Sequence, residues 1–170
     1  MGKICTLTPM ELYFCGVQLK AKYLDYDYFR AMPDVQKNYL RHEQETLEQL
    51  EDKEIIEMDF SGNVSFNEEA QAILKPVYFG EKESRLDIPG KPSWRFHIMD
   101  HQITMSVMED GLICLERFSE EKLEKLLTTD TVEIHLSDVN RGSKSAVYTS
   151  GELEAEENKK TAIKLIKGEE

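Results

Sequence analysis

Cysteine is scarce in this chain. Cys5, Cys15 and Cys114 sit among apolar neighbours, and no two of them have the C-x-x-C spacing. That excludes a disulfide framework and a sequence-local zinc site, and it points to reduced, buried small hydrophobes in a reducing compartment. Long apolar runs are missing too: none approaches the roughly 18 residues that cross a bilayer. The opening MGKICTLTPMELY has one lysine and no apolar core, so it does not have the pattern of a secretory signal. Gly2 and Thr6 satisfy the spacing for N-myristoylation, but Thr6 is better explained as part of the entry to the first helix.

Cations are outnumbered. Against 33 Asp and Glu the chain has 21 Lys and Arg, a formal net charge of −12, which disfavours nucleic acid and anionic membrane as partners. Catalytic signatures are also missing: there is no G-x-G-x-x-G, P-loop, G-x-S-x-G or H-E-x-x-H. No cysteine has an adjacent His or basic residue to lower its pKa. The expectation is a soluble, cytoplasmic, acidic protein that is not an enzyme and carries no metal or cofactor.

What is present is the composition of a globular chain, 40% apolar and 32% charged. At 170 residues it is long enough to bury a core without disulfides or metal. The expected class is α+β in one compact unit: a helical region over 1–79, a linker or long loop over 80–92, an antiparallel β region over 93–151 with a helix at 119–128, and a C-terminal segment over 152–170.

The local signals behind that division are specific. Thr8, Pro9 and Glu11 form a capping box that opens a first helix, with Leu7 and Leu12 as a hydrophobic staple. Residues 34–52 have the pattern of one long helix, with Val35, Tyr39, Leu40, Leu47 and Leu50 as its apolar positions. EIIEMDF, a turn at Ser61-Gly62-Asn63 and VSF predict a hairpin over 54–66. Ser65 and Glu68 repeat the capping-box spacing before a helix whose buried stripe is Ala70, Ile73, Leu74 and Val77. GEKESRLDIPGKP is short of apolar residues and punctuated by Pro89, Gly90 and Pro92, hence the linker. From Trp94 the period becomes two, and Asp110-Gly111 marks a hairpin. Ser119 caps a helix bearing Leu123, Leu126 and Leu127. TVEIHLS and NRGSKSAVYTS predict two further strands, and TAIKLI suits either a helix or a strand.

Helix, hairpin and helix in that order over 34–78 predict a winged-helix-like unit. Yet residues 43–70 carry ten Asp and Glu and one basic residue, Lys53. Phosphate contacts need Lys or Arg, so a transcriptional regulator reading DNA is the alternative rather than the first reading. A third, a small enzyme or metal protein, would use His97 and His101 with Asp100 between them. Exposed histidines explain that pair more simply, because on a strand and turn no convergence is guaranteed.

LTPMELYFCG, then LEQLEDKEIIEMDFSGNVSFNEEAQAIL, then ITMSVMEDGLICLERFSEEKLEKLL resemble, in that order, EspG-type chaperones of type VII (ESX) secretion. The chain is most similar to their short Gram-positive relatives, small cytoplasmic accessory proteins of largely unknown function. Leu7-Thr8 and Glu11-Leu12 match the start of the family pattern. Leu47, Leu50, Ile55 and Ile56 match its middle, and Leu123, Leu126 and Leu127 its end, over roughly residues 6–137. The longer members contain two related halves and this chain has room for about one, so a full clamp would need a second copy or another subunit. The resemblance implies a non-catalytic cytoplasmic adaptor that binds a helical-hairpin secretion substrate. Helical partners dock through i, i+3, i+4 and i+7 anchors. The expected partner-binding residues are the aromatic group Tyr23, Tyr26, Tyr28 and Phe29, and the adaptable methionines Met99 and Met108. Met105 is expected in the core.

Overall fold

The computed structural model describes residues 3–21, 41–128, 131–138, 142–149 and 151–169. Among them are five α-helices, a seven-stranded antiparallel sheet and a separate two-stranded hairpin, an α+β arrangement as expected. In chain order the elements begin β1 (Ile4–Leu7), α1 (Pro9–Gln18), α2 (Glu43–Asp52), β2 (Ile56–Met58), β3 (Val64–Phe66) and α3 (Glu68–Phe79). Then come β4 (Lys82–Asp87), β5 (Trp94–Met99), β6 (Gln102–Glu109), β7 (Leu112–Arg117) and α4 (Glu120–Leu126). The chain closes with β8 (Val132–Asp138), β9 (Gly142–Tyr148), a 3-10 turn (Glu152–Glu154) and α5 (Glu156–Ile166). No helix among the described residues is long and apolar enough to cross a membrane.

The large sheet runs β1-β7-β6-β5-β4-β8-β9. Cross-strand partners share a face, so the register sorts the side chains into two layers. Cys5, Leu7, Ile113 and Leu115 look toward α1, α2, the hairpin and α3, where they join Leu12, Leu50, Ile56, Ile73 and Leu74 in one core. Leu86, Phe96, Met105, Val132 and Ile134 look the other way, toward α4 and α5, and join Leu123, Leu127, Ile163 and Ile166. The two cores are therefore offset along one sheet. The helices that cover each do so through amphipathic stripes of the expected kind.

Local chemistry explains most element ends. Thr8 caps α1 as predicted, its hydroxyl accepting from Glu11 N at 3.1 Å while Glu11 Oε1 accepts from Thr8 N at 2.8 Å. At α3 the cap is Asn67, which accepts from Ala70 N at 3.0 Å; Ser65, the expected cap, is an exposed residue of β3. Helix α2 starts only at Glu43. His42 stands at its N-cap and Arg41–His42 form a turn, so of the helix expected over 34–52 the described residues hold Glu43–Asp52; Val35, Tyr39 and Leu40 lie outside them. The ambiguous TAIKLI is helical, inside α5.

Two expectations are corrected. The supposed linker over 80–92 contains β4, which pairs with both β5 and β8. Its alternation was hidden because one inward position is polar: Ser84 is fully buried and donates to Ile166 O at 2.6 Å. Only the turn near Pro89-Gly90 remains of the loop. Residues 4–7, read as the approach to α1, form the edge strand β1 against β7.

Gly80 follows α3 where the helix end crosses β5. A Cβ there would lie 2.6 Å from Pro76 O and 2.8 Å from Ile98 O, both backbone atoms that cannot swing aside. Gly80→Ala is therefore expected to lower stability by about 1–3 kcal/mol, the usual cost of overpacking, and a shift of the urea midpoint at unchanged slope would show it.

Candidate functional site

The hairpin β2–β3 projects from the first core. Ile55 N donates to Leu50 O at 3.0 Å and Met58 N to Glu51 Oε2 at 3.2 Å, tying it to α2; Asn67 N donates to Ile55 O at 2.9 Å, closing its base. Ile56 is buried and its partner Phe66 packs on the same core, so the stem is anchored.

The tip is built around Asp59. Its Oδ1 accepts from Ser61 N at 2.9 Å and Asn63 N at 2.8 Å, and its Oδ2 from Asn63 Nδ2 at 3.0 Å. Backbone bonds from Asp59 N to Asn63 O and from Gly62 N to Asp59 O complete the loop. Gly62, at φ +82°, supplies the left-handed turn that a side chain would disfavour. The hydrogen bonds from Asn63, with those from Ser61 and Gly62, hold the Asp59 carboxyl below the usual carboxylate range. A loop bonded to itself in this way is pre-formed, and it carries Phe60 fully exposed to solvent.

The charge around the tip is one-sided. Lys53, the lone basic residue of the 43–70 stretch, is part-exposed and paired: its Nζ donates to Glu11 Oε1 at 2.7 Å and to Thr6 O at 2.9 Å. Glu11 is buried and its second oxygen has no hydrogen-bond partner. With that cation paired to a buried carboxylate, the surface from α2 through the hairpin to the start of α3 is predominantly acidic, Lys53 being its one part-exposed cation among ten Asp and Glu. That charge disfavours phosphate.

Of the partner-binding residues singled out in sequence, the structure describes only the two methionines. Tyr23, Tyr26, Tyr28 and Phe29 lie outside the described residues. Met99 and Met108 are both half-buried and sit on the same face of neighbouring strands. The register places Met99 opposite Gln102, six residues from Met108, hence about 20 Å away at ~3.4 Å per residue. Met108 packs against the first core, and Met105 is wholly buried as expected.

His97 is not an exposed histidine. It lies on the face opposite Phe96, as its position in the alternation requires, but α3 covers that face as well. His97 Nε2 sits 3.0 Å from Ser106 Oγ, and its strand neighbour Thr104 donates to Ile73 O of α3. Burial pushes its pKa down to about 4, with Glu83 raising and Arg95 lowering it to a lesser degree. His101 stands exposed in the next turn, so His97, Asp100 and His101 do not converge. Burial likewise raises the thiol pKa of Cys5 and of Cys15. Neither is an activated nucleophile.

Distant residues do meet on the polar half of the sheet. Asp87, Glu133 and His135, from β4 and β8, bring their ligand-type atoms within 4.8 Å of one another. His135 Nε2 is 3.2 Å from Glu133 Oε1 and 3.6 Å from Asp87 Oδ2. Asp87 is already engaged on both oxygens, by Arg85 Nε at 2.9 Å and by the Ser93 hydroxyl. A cation would have to displace Arg85, so the group stands as an ion network of the open sheet face.

Comparison with known proteins adds no family: no protein-family model matches the chain, and no curated protein matches it. The hairpin tip is what reading the sequence missed. The sequence pattern groups Phe60 with the strand run EIIEMDF, whereas D-F-S-G-N is itself a turn signal with an aromatic inside it.

Proposed function

We propose that the chain is a non-catalytic adaptor or chaperone that binds a helical protein partner in the cytoplasm. In the reading its resemblance implies, that partner is a helical-hairpin substrate of a type VII secretion system. The observation that carries the proposal is Phe60, an aromatic fully exposed on a loop already held in shape by Asp59 and Asn63. Exposed aromatics on pre-formed supports are typical interface anchors, because little entropy is lost when they dock. The unit α2–β2–β3–α3 serves in this reading as a winged-helix-like module turned to protein contact. Its acidity sets aside the DNA ligand that such a shape usually takes.

Phe60→Ala tests this. The side chain touches no core, so melting behaviour should stay that of the wild type. Affinity for the helical chain that co-purifies from the native host should fall by about 2–4 kcal/mol, the loss typical of a central anchor, or roughly 30-fold or more. A variant that holds its partner at the wild-type ratio would sink the proposal.

A further inference from the structure

A second feature lies away from the hairpin and is independent of the adaptor reading. Where α3, the start of β6, the end of β7 and the chain just past α5 meet, there is a cavity of about 340 Å³. That is within the size range of small-ligand sites. In a chain of net charge −12 its lining contains no carboxylate. Arg117, Lys167 and His101 supply the polar wall; Ile103, Phe118 and Pro76 supply the apolar one. A neighbouring cavity shares Lys167 but is lined by Glu120, Glu157 and Glu169 as well as lysines, so its charge is balanced.

The walls are held by the fold. Phe118 N donates to Ile103 O at 2.9 Å, continuing the β6–β7 ladder past Arg117, which is itself paired with Thr104. The Phe118 ring packs edge-on against Phe96 at 6.1 Å and carries Lys167 Nζ 5.9 Å from its centre. Lys167 has Glu169 3.4 Å away, so it is partly neutralised. Arg117 is exposed at the end of β7 and, among the described residues, makes no ion pair or side-chain hydrogen bond. By the register Arg117 leaves on the face of Thr104 and α3 while Ile103 and Phe118 leave on the face of Phe96, so the cavity reaches both faces around the ends of β6 and β7. A guanidinium with no partner among the described residues offers two parallel donors to a planar anion there.

We infer that this cavity binds a carboxylate carried on an apolar or aromatic stem, the carboxylate on the fork of Arg117 and the stem against Ile103 and Phe118. The lining's charge, cationic and without a carboxylate, favours an anion, and the apolar wall favours an organic anion over a bare one.

The test is an NMR titration of the full chain with hydrocinnamate, with hydrocinnamamide as its uncharged twin and inorganic phosphate as its stemless one. Hydrocinnamate should shift the amides of Ile103 and Phe118 and the Arg117 Nε–H saturably. The amide and phosphate should each bind about tenfold more weakly or worse, since each lacks one half of the recognition. Arg117→Gln should lower hydrocinnamate affinity by about tenfold through loss of the charged fork; its side chain supports nothing else, so the fold should be retained. Equal binding of the amide or of phosphate, unchanged affinity in Arg117→Gln, or no saturable shift at these residues would overturn the inference.

Discussion

Replacing Lys53 by methionine should lower the unfolding free energy by about 3 kcal/mol, the low end of the range for breaking a buried ion pair. The reason is asymmetric burial. Glu11 is 1% exposed, whereas the Lys53 side chain is 37% exposed, so the carboxylate depends on its partner while the ammonium retains some water. Glu11 Oε1 already accepts from Thr8 N and from Lys53, and Oε2 has no hydrogen bond at all. Without Lys53 a nearly dehydrated negative charge stays behind at the first turn of α1, compensated only by the Thr8 amide and the helix end. Urea titration of the single variants, Lys53→Met and Glu11→Gln, and of the double variant would test the account. The double should cost clearly less than the sum of the singles, because the two residues form one unit. A loss below about 1 kcal/mol for Lys53→Met would place the pair among ordinary surface ion pairs and contradict this reading.

Acid should destabilise the fold through His97, and the sign follows from its burial. Its pKa is lowered from 6.5 to about 4 in the native state, so between those values the unfolded chain binds the proton and the folded chain does not. Stability linked to this residue is complete above about pH 6.5 and is lost as pH falls toward 4. At about 1.4 kcal/mol per pH unit the loss reaches roughly 3 kcal/mol at the acid end. Carboxylates titrate over part of the same range, so the measurement is a difference. Unfolding free energy against pH should fall more steeply in the wild type than in His97→Gln, and the gap should open below neutrality. Parallel curves would mean that His97 takes up its proton in the folded state without cost, and hence that α3 does not seal it.

How much of this was legible in the sequence depended on whether a local signal was enough. The cap at Thr8, the stripe Ala70-Ile73-Leu74-Val77 and the alternation after Trp94 are local, and each element stands where its pattern predicted. β4 was missed because its inward Ser84 is satisfied by a carbonyl more than eighty residues away, in α5. β1 was missed because four residues next to a strong helix cap carry little pattern of their own. His97 was placed on the correct face but given the wrong environment, since alternation assigns sides and cannot reveal that helices cover both. The site followed the same rule. The acidity of 43–70 was plain, but that Lys53 is spent on Glu11, and that Phe60 leaves the strand run to stand at the tip, are consequences of tertiary geometry. The cavity at Arg117 joins four segments that no spacing connects.

We propose that the hairpin module meets protein rather than nucleic acid. The most direct test is to purify the chain from its native host, with and without nuclease, and to identify and weigh what accompanies it. The expected result is a small helical secretion substrate at a fixed ratio, unaffected by nuclease. DNA lost on nuclease treatment, with no protein partner, would contradict it and favour a transcriptional regulator instead.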